Sequence, residues 1–528
     1  MKHKILYMIG AGLMLMAVTS ACRKQSDILQ AYDHEDRLVF DRADSSFAAK
    51  FDILWNGLNQ YYPLWDYEAS QGVDWDAVYD EFYPQFEALD KRGKNAEVTD
   101  QELTELLSKC FGKLHDGHYY VTMTNHKTGS TLANASFSAL NDVRDDVQAA
   151  TTCLPNLYYY ANPANGEIET DNEGNPMARQ CSADANDLLM YFLTTPGVGY
   201  LWINDQIKEL EALPSLTEMQ EFRLNNLRDL KRKLMTMGGI ALAEGVKIYN
   251  SLQASYSFLN VPGFDPIDML FANGAEISVG SALFKGNIAY LRISDFSLSF
   301  YLKTEESKLD MSNPSTRQIV ERVRDAWQFW FDNIQALHRK GTLGGVIIDL
   351  RSNGGGLLED AHYVMGALVP SGGLTYGYHR FKRGTGRYDY SPLMPAVMPT
   401  MNEPHETITE PIVVLCNSKS VSMAEISTMS AKGLPNGTAI GKRTRGAICG
   451  LSANKNNSYN YAGYVGVKGV TPVYSYVPMV ATFTFDKEVL ESYGVTPDIE
   501  VDLDITRFQT DGKDSQLDRA LQFIRTGK

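Results

Sequence analysis

The sequence predicts an α/β protein carrying a helical domain ahead of its sheet and a mixed α+β region between the two. Three observations lead there. Apolar residues recur at three- and four-residue steps between Phe47 and Phe111, the period of helices buried along one side. Two apolar runs, Gly345–Leu350 and Ile412–Leu415, are each followed by a polar turn and then a helical pattern. Strand–turn–helix units in series build an α/β sheet. Residues 119–285 follow neither pattern throughout, and a turn-rich patch at Asn162–Asn175 interrupts their β-prone runs.

The composition bounds the rest. A chain of 528 residues is too long for one core and implies roughly two to four domains. Its 44% hydrophobic and 21% charged residues are ordinary for a globular protein. The formal net charge is −15 and no basic block rich in aromatics is present, which argues against a nucleic-acid partner.

From the N-terminus, Lys2 and Lys4 precede an apolar run from Ile5 to Val18, and Thr19-Ser20-Ala21-Cys22 follows. That is the layout of an export signal over residues 1–21, shorter than the ~20 residues a spanning helix needs. Small residues directly before Cys22 resemble a lipobox, with Thr19 where its usual Leu stands. Lipidation of Cys22 is expected, giving membrane attachment at a bacterial cell envelope. Residues 22–45 are polar and form a tether. Of the other cysteines, 153 and 181 flank a polar stretch and could pair in an oxidising compartment. Cys110, Cys416 and Cys449 sit in apolar surroundings and are expected to be buried thiols. No C-x-x-C occurs, so a zinc or redox motif has no support, and nothing else in the sequence implies a metal or organic cofactor.

The helical domain, 46–118, reads as three helices. Phe51, Leu54, Trp55, Leu58 and Tyr62 line the first; Asp74-Trp75-Asp76 opens the second, through Val78, Phe82 and Phe86; the third runs from Asp100 to about Cys110. Ser215-Leu216-Thr217-Glu218 reads as a capping box opening another helix. In the region 286–505, Ile288–Ile293 is a strand, and 316–338 is a long helix with Val323, Trp327, Trp330 and Ile334 on one side. A further helix is expected over Leu357–Leu368, and a terminal amphipathic helix at about Gln516–Ile524.

Chemistry concentrates at the two strand–turn–helix junctions. Ser422 lies where a buried strand meets a helix, at the helix's positive end, where free backbone N–H groups can bind an anion. Such a serine is either an N-cap or a nucleophile. Gly354-Gly355-Gly356 permits positive φ and close approach of another backbone. It is either a tight turn or an oxyanion cradle, and no Gly-Lys-Ser/Thr follows to make it a P-loop.

These segments resemble the tail-specific, or carboxy-terminal processing, serine peptidases. The resemblance rests on Val346–Gly356 (V-I-I-D-L-R-S-N-G-G-G), Ser420–Ile426 (S-V-S-M-A-E-I), Gly441–Gly446 (G-K-R-T-R-G) and Glu491–Asp498 (E-S-Y-G-V-T-P-D), in that order. It implies a crotonase-like core, protein or peptide substrates, and Ser422 as nucleophile. It also implies an oxyanion hole from the Met423 amide with an amide of Gly355 or Gly356.

One branch of that family takes its base from a Lys right after the T-x-G glycine. Here that residue is Ala447, and Lys442 and Lys419 do not occupy the motif position. The other branch, similar to the tricorn core, uses a His from an N-terminal D-x-H motif. Asp116-Gly117-His118 fits it, giving His118 as base and His115 as its rival. Gly117 stands where that branch has a Ser, and Glu491 matches its Glu, which would orient the imidazole. The glycine-rich loop of a carboxylate-capturing PDZ module is not apparent between 119 and 285. A non-catalytic peptide-binding lipoprotein on the same fold, and an esterase with the same nucleophile, are the competing readings.

Overall fold

A computed structural model describes residues 40, 42–92, 97–135, 157–159, 172, 178–180, 207–236, 279–293, 295–303, 309–401, 404–450, 462–504 and 513–528. The signal, Cys22, most of the tether, Cys153, Cys181 and most of the middle region fall outside them. Among the described residues no helix is long and apolar enough to cross a membrane.

The elements in chain order are α1 (Phe47–Tyr61), α2 (Trp65–Ser70), α3 (Trp75–Lys91), α4 (Asp100–Phe111), β1 (Tyr120–Thr124), β2 (Thr131–Ala135), β3 (Leu157–Tyr159) and β4 (Ala178–Gln180). Then come α5 (Glu218–Thr236), β5 (Val279–Phe284), β6 (Ile288–Ile293), α6 (Ser299–Leu302), α7 (Pro314–Arg339), β7 (Gly345–Asp349) and α8 (Ala361–Val364). The chain ends with β8 (Leu374–Phe381), β9 (Met394–Met398), β10 (Ile412–Cys416), α9 (Met423–Gly433), β11 (Gly437–Gly441), β12 (Ala462–Val465), β13 (Val473–Pro478), β14 (Val480–Phe483), β15 (Ile499–Glu500) and α10 (Ser515–Thr526).

The three helices expected between Phe47 and Phe111 form where expected, and their starts have local causes. Ser46, Asp74 and Thr99 cap α1, α3 and α4 with their side-chain oxygens. Two expectations are corrected. The capping box at α5 is Thr217 with Gln220, not Ser215 with Glu218. Gln220 N–H donates to Thr217 Oγ1 at 3.3 Å, and Thr217 N–H donates back to Gln220 Oε1 at 2.9 Å. The helix expected over Leu357–Leu368 is only a 3₁₀ turn at Leu358–Asp360 followed by the four-residue α8. Its ladder breaks at Gly366, whose N–H reaches back to Ala361 O and whose carbonyl accepts from Met401 N–H.

The chain forms two compact units. One takes Met1–Val143, Gly377–Pro395 and Cys449–Ser492; the other takes Arg144–Tyr376, Ala396–Ile448 and Tyr493–Lys528. The helical segment thus shares its unit with stretches that lie inside the sequence's α/β region. In the first unit, α1–α4 pack an aromatic core around Phe51, Trp65, Trp75, Phe86 and Phe111. An antiparallel sheet in the order β12-β13-β1-β2 turns Val121, Met123, Val465, Val473 and Val477 onto that core. Gly57 of α1 lies so close to β12 that a Cβ there would stand 2.2 Å from Val465 Cγ2.

The second unit is built on a six-stranded sheet ordered β15-β11-β10-β7-β6-β5. All its pairings are parallel except β5 with β6. β7 and β10 are buried throughout, as strands covered on both faces must be. One face packs Tyr290, Ile347, Val413, Leu415 and Ile440 against Leu517, Ala520 and Leu521 of α10. Arg351, directly after β7, ties that helix down. Its guanidinium reaches Asp349 Oδ2 at 2.6 Å and Asp514 Oδ2 at 2.7 Å, and all three side chains are essentially inaccessible to water. Arg351→Leu would leave two buried carboxylates without their cation, a change that costs about 3–5 kcal/mol; denaturant unfolding at pH 7 measures it.

Candidate active site

Ser422 caps α9 in a backbone conformation, φ 56° and ψ −113°, that L-residues seldom adopt. Its N–H is shared between Ala447 O at 3.1 Å and Glu425 Oε2 at 3.1 Å. Glu425 is fully buried, and burial pushes its pKa up while its donors act the other way. Oε1 accepts the Thr444 hydroxyl and the Gly446 N–H, each at 2.6 Å; Oε2 accepts the Ala447 N–H at 2.8 Å beside that of Ser422. Two donors on each oxygen fill the lone pairs of an ionised carboxylate. Ala447 thus serves through its backbone, at the position where one branch of the peptidases that the sequence resembles has a lysine side chain.

The glycine turn meets this junction. Val421 N–H donates to Asn353 O at 2.9 Å. A Cβ on Gly355 would lie 2.6 Å from the Ser422 Cβ, and the residue has φ 90°, so only glycine fits. The oxyanion expectation narrows here. The Gly355 N–H is already used, donating to Asn353 Oδ1 at 2.8 Å, so Gly355 is withdrawn as a donor. The amides of Gly356 and Met423 donate to no other group among the described residues. Met423 is the first residue of α9, where an N–H has no intrahelical acceptor.

His118, Asp116 and Glu491 belong to the other unit. Asp116 Oδ1 accepts the N–H of His118 at 2.7 Å and of Tyr119 at 2.9 Å, fixing a tight turn. Glu491, 1% exposed, accepts Gly117 N–H on Oε1 and Cys449 N–H on Oε2, both at 2.9 Å. The residue standing in place of the branch's Ser therefore reaches Glu491 through its backbone. His118 Nδ1 is buried without a hydrogen bond among the described residues, and burial pulls the ring's pKa down to about 4. Burial, reinforced by the Glu68 carboxylate, raises Asp116 to about 7. Ligand atoms of Asp116, His118 and Glu491 all lie within 4.8 Å of one another, a set that could also hold a divalent cation.

His115 stands differently. Its Nδ1 is 2.8 Å from Glu68 Oε2 and its N–H donates to Glu68 Oε1 at 2.8 Å. The hydrogen bond to Glu68 raises its pKa. Glu68 was not singled out in the sequence. Its one signal is a carboxylate within an aromatic-rich buried helix, Trp65-Asp66-Tyr67-Glu68. Cys110, Cys416 and Cys449 are buried free thiols, as expected.

Residues 287–501 match the model of peptidase family S41. The tricorn protease of Thermoplasma volcanium is 27% identical over 180 residues, 34% of this chain and 14% of that protein. The chain therefore spans a small fraction of that relative. Among solved structures, mature CPAF is 13% identical with a TM-score of 0.47, covering 92% of this chain and 99% of that one. The photosystem II D1 C-terminal processing protease is 21% identical with a TM-score of 0.27, covering 41% of this chain and 42% of that one.

The two histidines should respond oppositely to pH. Between pH 6.5 and about 4 the unfolded chain binds a proton at His118 and the folded chain does not, so stability falls as pH falls through that window. At His115 the folded pKa is the higher. Its pair with Glu68 contributes fully below 6.5 and is lost as pH rises through the folded value. Unfolding free energies across pH 4–8 for wild type, His118→Gln and His115→Gln should show the acid-side slope flattened only in the first variant.

Proposed function

We propose that the protein is a serine peptidase of the bacterial cell envelope, lipid-anchored through Cys22, that hydrolyses proteins or peptides with Ser422 as nucleophile and His118 as general base. The observation that carries the reading is Ser422 itself. It stands within the family-matched segment, in a strained conformation at the start of α9, with the Met423 amide, which donates to no group among the described residues, beside it. In this reading Ser422 Oγ attacks the scissile carbonyl while the neutral imidazole of His118 takes its proton. The carbonyl oxygen, now anionic, is held by the N–H groups of Met423 and Gly356. His118 then returns the proton to the leaving amine, and water hydrolyses the acyl-enzyme by the same steps. Glu491 orients the imidazole through the loop that carries it, by accepting the Gly117 N–H, and the α/β unit is a crotonase-like core.

Two observations support His118 over His115. Burial keeps the His118 ring neutral, ready to accept a proton, whereas the Glu68 carboxylate stabilises the charged form of His115. In this reading the Asp116–His118–Glu491 set acts as a base with its carboxylates, and no step calls on a metal.

A fluorophosphonate probe tests the scheme. Wild-type protein should label at Ser422, and Ser422→Ala should abolish labelling. His118→Ala should slow it by about 10³-fold or more. EDTA should leave the rate unchanged, and the acid limb of the rate should lie near pH 4 rather than 6.5. A folded wild-type protein that fails to label across pH 4–9 would instead favour a peptide-binding lipoprotein without catalysis.

A further inference from the structure

We propose that Glu68 is a positioning residue for the base His118, and that Tyr67, its neighbour on α2, holds the Glu491 segment in the same arrangement. The inference rests on the reading of His118 as base. Neither residue lies in the family-matched segment 287–501.

α2 is only six residues long, but its consecutive side chains address two different segments of the chain. Successive residues on a helix point about 100° apart, so Tyr67 and Glu68 diverge. Glu68 is completely buried. Oε1 accepts the Tyr62 hydroxyl at 2.6 Å and the His115 N–H at 2.8 Å; Oε2 lies 2.8 Å from His115 Nδ1. It thereby grips both backbone and ring at the start of the loop that ends in His118. The Tyr67 hydroxyl donates to Glu491 O at 3.0 Å and lies 3.0 Å from Ser492 Oγ.

Glu491 in turn accepts the N–H of Gly117, inside that same loop, at 2.9 Å. The contacts therefore close on themselves, from Tyr67 to Glu491, to Gly117, back along the chain to His115, and to Glu68. A closed ring of hydrogen bonds leaves the loop little freedom to rotate. His118 follows Gly117 directly, and its own N–H is held by Asp116. The orientation of the imidazole is set on a short rigid element, as a precise site requires. Once the ring is cut, the loop loosens and water reaches His118, relieving the burial that depresses its pKa.

The experiment uses the full chain and reads the second-order rate of Ser422 modification by a fluorophosphonate from pH 3.5 to 8, with labelled active-site titre and melting temperature measured in parallel. Glu68→Gln keeps the side chain's shape and removes its charge; Tyr67→Phe removes one hydroxyl. In the proposal, Glu68→Gln lowers the rate per titrated site by about 10- to 100-fold and moves the acid limb upward toward 6.5. Tyr67→Phe lowers it about 3- to 10-fold with the same direction of shift. A purely structural role would reduce melting temperature and titre but leave the acid limb unmoved, and that result overturns the proposal. Should Glu68→Gln fail to fold, the limb in Tyr67→Phe decides. His118→Ala separates the two levels. Wild-type labelling in that variant removes the base assignment and this inference with it. A strict need for His118 alongside wild-type limbs in both α2 variants removes this inference alone.

Discussion

A carboxylate withdrawn from water must be surrounded by hydrogen-bond donors, and Glu425 is where that requirement shapes the unit built on the six-stranded sheet. Its two oxygens collect the amide of Ser422, the amides of Gly446 and Ala447 and the hydroxyl of Thr444. The G-K-R-T-R-G turn is bent around one side chain, and that side chain fixes the amide of Ser422. Thr444 extends the chain of dependence by accepting Val495 N–H at 2.7 Å, which brings the G-V-T-P-D segment to the same point. An uncompensated charge there would be costly, so the motifs that seem separate in the sequence are parts of one solvation shell made of protein.

The other unit repeats the device with two buried carboxylates: Glu491 takes the backbone N–H groups of Gly117 and Cys449, and Glu68 takes one backbone N–H together with the Tyr62 hydroxyl and the His115 ring. Main-chain donors are indifferent to side-chain identity. That is why Gly117 can stand where the tricorn-like branch has a serine and still reach Glu491, and why Ala447 can stand where another branch has a lysine and still serve Glu425.

Much of the fold was legible because periodicity reports burial directly. The helices around Phe51, Phe82 and Leu103, the strands at Ile347 and Val414 and the terminal helix all appear where their apolar spacing puts them. What periodicity cannot report is the partner of a polar group. The Gly355 amide is consumed by a side chain two residues away, a detail of turn geometry that three consecutive glycines do not disclose. Glu68 meets His115 across 47 positions of sequence, with nothing local to mark it. The helix after Gly356 was over-extended because Leu357, Val364 and Leu368 have helical spacing, whereas the carbonyl of Gly366 goes to Met401. The capping box slipped by two residues because S-x-x-E and T-x-x-Q overlap, and only the backbone conformation chooses between them.

After its first change of unit at 143–144, the chain passes from one compact unit to the other at residues 376–377, 395–396, 448–449 and 492–493. All four passages lie inside the 287–501 segment that matches the peptidase family. That segment supplies β12 and β13 to a sheet whose inner face packs on the N-terminal helices. It is therefore not a cassette. Recombination cannot lift it out or exchange the helices ahead of it without exposing half of a core. Divergence in this lineage is bound by the same arithmetic: Gly57 has no side chain because Val465 occupies its space, and two positions so far apart in the gene must drift together or not at all.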